Sequence, residues 1–138
     1  MKRNATAVWN GAVKEGKGKL STQSGTLKDT PYSFTSRFEE GSGTNPEELI
    51  AAAHSGCFAM ALSMILGEAG FTPDSLEVTS TVTMDAGKLQ LTASHLVLKA
   101  KVPGIDQQKF KECAEKAKTT CPVSKVLNLD ITLETSLV

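Results

Sequence analysis

Apolar and polar residues alternate in short runs at both ends of the chain and merge into one long uncharged block between them. Ala5 to Trp9 reads as a short strand. Gly11, Gly16, Gly18 and Gly25 punctuate the next stretch and predict hairpins around Lys19 to Ser21 and Gly25 to Lys28. Tyr32 to Phe38 alternates well enough for another strand, ending in the loop Glu39-Glu40-Gly41-Ser42-Gly43. From Leu49 to Leu66, 18 residues carry no formal charge. Strong start signals precede this run. Thr44 or Asn45 can cap a helix, Pro46 suits its first turn, and Glu47 and Glu48 complement its dipole. Gly67 or Gly70 closes it. Apolar residues cover its whole circumference, which predicts burial on every side.

Period two returns after the loop Phe71-Thr72-Pro73-Asp74. In Glu77 to Met84, Val78, Val82 and Met84 share one face, with Thr79, Thr81 and Thr83 on the other. In His95 to Val102, Leu96, Leu98, Ala100 and Val102 point one way and Lys99 and Lys101 the other. Asp106 caps a helix to about Lys118, with Phe110, Cys113, Ala114 and Ala117 as its apolar stripe. Cys121-Pro122-Val123-Ser124 reads as the start of a short helix, and Leu129, Ile131 and Leu133 mark a last strand. The order strands, helix, strands, helix, strand predicts an α+β fold with mostly antiparallel sheet. No repeat or linker interrupts it, so residues 1–138 are expected to form a single domain.

Composition narrows the function. At 40% hydrophobic and 22% charged, the chain is ordinary for a soluble protein. Zero formal net charge gives no electrostatic reason to expect nucleic acid or an acidic membrane as partner. The uncharged run is at the lower limit for a membrane span. Its Ala, Gly and Ser content, its His54 and the flanking strands favour a buried helix instead. With only seven aromatics, the core must come largely from Ala, Val, Leu, Ile and Met. The first residues lead into a strand rather than the apolar core of a signal peptide. Three cysteines with long, irregular gaps do not resemble a secreted disulfide framework. Without a Cys-x-x-Cys pair, and with His54 and His95 isolated, a structural metal site is not expected. A cytoplasmic protein with reduced thiols fits best.

A helix buried all round needs more covering than one small sheet supplies. Ala51-Ala52-Ala53 and Ser55-Gly56 let another backbone come close, and Ala52 and Gly56 lie one turn apart on one face. A second subunit covering this face would make an obligate homodimer. The alternative is that both sheets of one chain wrap the helix.

The chemistry rests on the cysteines. Cys113 lies on an apolar stripe and reads as packing. Cys57 lies within the apolar run, and as a nucleophile it would need a positive partner to become a thiolate. It is about twelve residues into its helix, too deep for the N-terminal dipole. Arg37, permanently charged and with a planar donor fork, is the obvious candidate. A carboxylate would match that fork, and Glu47 would serve, although Glu47 and Glu48 are also ordinary helix-start charges. Glu47 and Cys57 are ten residues apart, roughly 15 Å along a straight helix. Either a second subunit supplies Glu47 or the helix bends. Cys121 precedes Pro122 at a helix start, where free N–H groups favour a thiolate; it is either a resolving thiol or a chance cap residue. His54, three residues before Cys57, is either a core or interface histidine or the partner of a Cys–His pair.

The segment Thr44-Asn45-Pro46-Glu47-Glu48-Leu49-Ile50-Ala51-Ala52-Ala53-His54-Ser55-Gly56-Cys57-Phe58 resembles the first cysteine motif of the OsmC family, within the OsmC/Ohr group of organic hydroperoxide peroxidases. Cys121-Pro122-Val123-Ser124-Lys125-Val126-Leu127 is similar to its second. Ser33-Phe34-Thr35-Ser36-Arg37-Phe38 resembles the segment carrying the OsmC-type arginine. The N-terminal hairpin region and Gly67-Glu68-Ala69-Gly70-Phe71-Thr72-Pro73 favour the OsmC branch over Ohr. The likeness covers nearly the whole chain. It implies an intertwined homodimer, with extended sheets around two central helices and active sites at the subunit interface. It also implies peroxidatic Cys57, resolving Cys121, and Arg37 with Glu47 as the activating pair. Organic hydroperoxide would be the substrate and an external dithiol the reductant, with no cofactor. Phe34, Phe38, Phe58 and Met60 are candidates for an apolar substrate lining. A binder of apolar stress metabolites and a Cys–His hydrolase are the competing readings.

Overall fold

The computed structural model describes all 138 residues. They divide into two compact units, Met1–Leu49 and Ile50–Val138.

In the first unit, β1 (Ala5–Asn10), β2 (Lys17–Thr22) and β3 (Thr30–Tyr32) form an antiparallel sheet in that order. The first reversal occupies residues 11–16, with Gly11 at φ +91°, so Lys19 to Ser21 lies inside β2 rather than at a turn. Gly18 pairs with Trp9 on one side and Tyr32 on the other. Those two rings close over it, their centroids 5.4 Å apart. A side chain at Gly18 would press on both rings.

The strand expected over Tyr32 to Phe38 is not formed. β3 stops at Tyr32 and α1 (Phe34–Phe38) follows. The alternating apolar row already breaks at Ser36, and Ser33 with Ser36 makes a reciprocal capping box. The Ser36 N–H donates to Ser33 Oγ at 3.2 Å, and the Ser33 N–H to Ser36 Oγ at 2.8 Å. Arg37 is therefore on a helix.

The long helix α2 (Pro46–Glu68) begins in the first unit and continues into the second. Asn45 caps it, its Oδ1 accepting the Glu48 N–H at 2.8 Å. Gly70, at φ +87°, closes it with paired bonds from Phe71 N–H to the Leu66 carbonyl and from Gly70 N–H to the Gly67 carbonyl.

In the second unit, β4 (Ser75–Asp85) and β5 (Gln90–Lys101) form an antiparallel hairpin. β6 (Asp130–Leu137) joins β5 in parallel. Parallel pairing requires a crossover, supplied by α3 (Gln107–Thr120) and α4 (Pro122–Val126). Phe58, Leu62, Ile65 and Leu66 of α2 pack with Leu96, Leu98 and Ala100 of β5 and with Phe110, Ala114 and Ala117 of α3. Cys113 belongs to this core, as its stripe predicts.

One expectation about α2 fails within the single chain. His54, Phe58, Leu62, Ile65 and Leu66 are buried, but Ala52, Ala53, Gly56, Met60 and Met64 are exposed. Met60 and Met64 keep 77% and 61% of their surface in solvent. A single three-stranded sheet with α3 covers one side of a helix, not its circumference. By length and composition α2 would also suit a membrane span, a test that core helices of soluble proteins pass equally.

Gly18→Ala should destabilise the N-terminal sheet by about 1–3 kcal/mol, because the added methyl must displace two packed rings. Chemical denaturation followed by the fluorescence of Trp9, the only tryptophan, reads this directly.

Candidate active site

Pro122 cannot donate a hydrogen bond and drives the residue before it out of helical geometry. Cys121, at φ −55° and ψ 125°, accordingly ends α3 and opens α4. Its N–H donates back to the Ala117 carbonyl and its carbonyl accepts from Lys125. This hinge turns the buried Cys121 side chain toward α2, where its sulfur lies 2.8 Å from that of the half-buried Cys57. Residues 64 positions apart in sequence are thus held as a thiol–thiol contact.

The two sulfurs are not equivalent. With both protonated, the Cys121 S–H donates to Cys57. Burial pushes the Cys57 thiol up from its ordinary value, and the hydrogen bond with Cys121 pushes it further. Burial also acts upward on Cys121. There it is outweighed by hydrogen bonds from Cys57, from the Ser124 N–H and hydroxyl, and from the Val123 N–H, which together hold Cys121 below its ordinary value. When one proton leaves, the charge therefore settles on Cys121, with Cys57 as donor. Cys57 needs a further cation to become the thiolate.

The first unit holds an arginine–carboxylate pair. Arg37 grips Glu47 with two nitrogens: Nε donates to Oε1 at 3.1 Å and Oε2 at 3.3 Å, and Nη2 to Oε1 at 2.9 Å. The guanidinium also lies 5.1 Å from the centre of the Phe38 ring. Ser36 and Asn45 position this pair. Ser36 Oγ donates to the Thr44 carbonyl at 2.9 Å, and Asn45 Nδ2 to the Ser36 carbonyl at 3.2 Å. Glu48 is engaged elsewhere, accepting from Thr44 Oγ1 at 2.6 Å. This distinguishes two neighbouring carboxylates that sequence alone leaves equivalent. Beside the pair is a cleft of about 310 Å³ walled by Trp9, Tyr32, Phe34, Phe38 and Pro46 together with Arg37. Phe34 and Phe38 are thus placed as lining, whereas Phe58 is fully buried in the core of the second unit and lines nothing.

His54 does not pair with Cys57. It is fully buried, with Nδ1 2.6 Å from Ser94 Oγ and Nε2 2.8 Å from Ser124 Oγ. Both ring nitrogens are taken, so the Cys–His dyad of a hydrolase is not assembled. Sequence reasoning misses these serine partners, although Ser94 and Ser80 stand out as polar interruptions in the apolar rows of β5 and β4.

The sequence profile of OsmC-like proteins matches residues 39–136. The chain belongs to the OsmC family. It is 50% identical over 137 residues to Peroxiredoxin OsmC of Escherichia coli strain K12, covering 98% of this chain and 96% of that protein. That likeness puts it on the OsmC-type branch. Similarity to an Organic hydroperoxide resistance protein of Xanthomonas axonopodis pv. citri is lower, 32% over 100 residues and 67% of each chain. The α+β architecture of two small sheets and a long central helix is also that of the OsmC-like protein of Mycoplasma pneumoniae. There the TM-score is 0.77 at 16% identity, covering 100% of this chain and 98% of the other, a likeness of fold.

Burial lowers the His54 pKa from its ordinary 6.5. The unfolded chain therefore binds a proton near pH 6.5 that the native OsmC-family fold refuses. The His54 contribution to stability is present above that pH and is lost as pH falls below it. Urea midpoints should decline from pH 7.5 toward about 5.5, and His54→Asn should flatten that slope.

Proposed function

We propose that the chain is a thiol-dependent peroxidase that reduces organic hydroperoxides to alcohols. The observation that carries this reading is the 2.8 Å contact between Cys57 and Cys121. The Cys57 thiolate attacks the outer peroxide oxygen, the O–O bond breaks, and the alkoxide leaves as the alcohol after taking a proton. Cys57 becomes a sulfenic acid. Cys121 then attacks that sulfur, forming a Cys57–Cys121 disulfide and releasing water, and an external dithiol restores both thiols. The aromatic cleft beside Arg37 suits an alkyl or aryl group. Residues 1–138 act as one OsmC-like domain in the cytoplasm, where thiols are kept reduced.

Arg37 activates Cys57, with Glu47 orienting its fork. Ten residues of α2, roughly 15 Å of helix, separate Glu47 from Cys57. The activating pair therefore comes from a second copy in a homodimer. Support comes from the exposed face of α2, where Ala52, Ala53 and Gly56 allow close approach and Met60 and Met64 offer apolar surface. The competing reading as a non-enzymatic binder would leave hydroperoxide unconsumed.

In a hydroperoxide-consumption assay with a dithiol, Cys57→Ser should abolish turnover. Cys121→Ser should permit a single reduction event per chain but no disulfide cycle. Full activity in Cys57→Ser would exclude the mechanism.

Outside its chain neighbours and the backbone of its own helix turns, nothing in the chain lies within 4 Å of a Cβ built at Gly56. Gly56→Leu should therefore fold yet elute as a monomer with lost peroxidase activity, as read by light scattering and the same assay. Mixing Cys57→Ser with Arg37→Ala chains should recover roughly a quarter of wild-type activity, since half the dimers are mixed and each has one intact site. No recovery would place Arg37 and Cys57 of one chain in the same site.

A further inference from the structure

A polar chain runs through the second unit from the half-buried Ser80 to Ser124, in the helix that Cys121 opens. Ser80 Oγ lies 3.0 Å from Ser94 Oγ, and Ser94 Oγ lies 2.6 Å from His54 Nδ1. His54 Nε2 lies 2.8 Å from Ser124 Oγ, and the Ser124 hydroxyl, in the short helix that Cys121 opens, is among the groups that hold the Cys121 thiol below its ordinary value. His54 and Ser94 have no exposed surface, and Ser124 keeps 8%. Placing an imidazole and two hydroxyls in a hydrocarbon core is costly unless each is satisfied. Here each is satisfied only by the next.

Such a chain has two self-consistent directions. In one, Ser80 donates to Ser94, Ser94 to Nδ1, the Nε2–H to Ser124, and Ser124 to a Cys121 thiolate. In the other, the Cys121 thiol turns its proton from Cys57 to Ser124 and every bond of the chain reverses. Changing from the second to the first moves one proton from the sulfur to the Ser80 end, with His54 neutral in both.

We propose that His54 is a positioning residue for resolution: through Ser124 it fixes the hydroxyl that prepares Cys121 as a thiolate to attack the Cys57 sulfenic acid. The role rests on the peroxidase reading. In that step the Cys121 sulfur bonds to the Cys57 sulfur, the S–OH bond breaks, and the hydroxide takes a proton from solvent to leave as water. The Cys121 proton has departed along Ser124, His54 and Ser94 to the half-buried Ser80, which passes its own proton to solvent. Lowering of the His54 pKa by burial keeps the ring in the neutral form that relays rather than stores a proton.

Two measurements test this. The first is independent of peroxidase activity. In a Cys57→Ser/Cys113→Ala background Cys121 is the only thiol, and its ionisation is followed by ultraviolet thiolate absorbance. Ser124→Ala and His54→Ala should each reduce the thiolate fraction at fixed pH by about tenfold, the loss of one charge-assisted hydrogen bond, and Ser124→Thr should restore it. The second is single-turnover kinetics in the otherwise native protein. Ser124→Ala should slow disulfide formation by about tenfold without slowing Cys57 sulfenic acid formation. If His54→Ala does not fold, Ser124→Ala and Ser124→Thr still decide the matter. An unchanged titration in Ser124→Ala, or equal slowing of both steps, would overturn the proposal. Absence of peroxide consumption by the wild-type protein alongside the expected titration shifts would instead refute the peroxidase reading and leave the thiolate relay standing.

Discussion

The Cys57–Cys121 contact produces a charge problem on which the rest of the site depends. Two thiols this close share one ionisation, and the second unit by itself assigns the negative charge to Cys121. Amide groups at the α4 start and the Ser124 hydroxyl support that assignment, while on Cys57 burial and the neighbouring sulfur outweigh the one favourable bond from the Val123 N–H. A nucleophilic Cys57 therefore requires a cation, and a cation in a poorly solvated site requires its own carboxylate. In the proposed mechanism the Arg37–Glu47 pair would meet both needs.

α2 serves three purposes at once, which explains its unusual composition. One face carries Phe58, Leu62, Ile65 and Leu66 into the core. The polar exception on that face, His54, is buried only because Ser94 and Ser124 meet both its nitrogens. The other face carries small residues and two exposed methionines, a surface suited to contact with another helix rather than to water.

Much of this is legible in the sequence. Helix α3 follows from its Asp106 cap and four-residue stripe, and the Cys121–Pro122 junction from proline geometry. The alternation in β4 and β5 marks true strands, because one face of β5 is buried and one face of β4 is half-buried. Sequence misleads where a local side-chain bond competes with periodicity, as the Ser33–Ser36 box does against a strand through Arg37. All-round burial of α2 cannot be judged from apolarity, since its exposed face, with Ala52, Ala53, Gly56, Met60 and Met64, is as free of charge as its core-facing one. Glu47 and Glu48 are indistinguishable until Thr44 is seen to engage one of them. Of the serines around His54, Ser94 shows in sequence only as a hydroxyl in an otherwise apolar strand row.

The most direct test is thiol trapping with mass spectrometry after one equivalent of an organic hydroperoxide is added to the fully reduced protein. The account predicts a Cys57–Cys121 disulfide with Cys113 recovered as a free, alkylated thiol. Recovery of all three cysteines as free thiols, or a disulfide that includes Cys113, would contradict it.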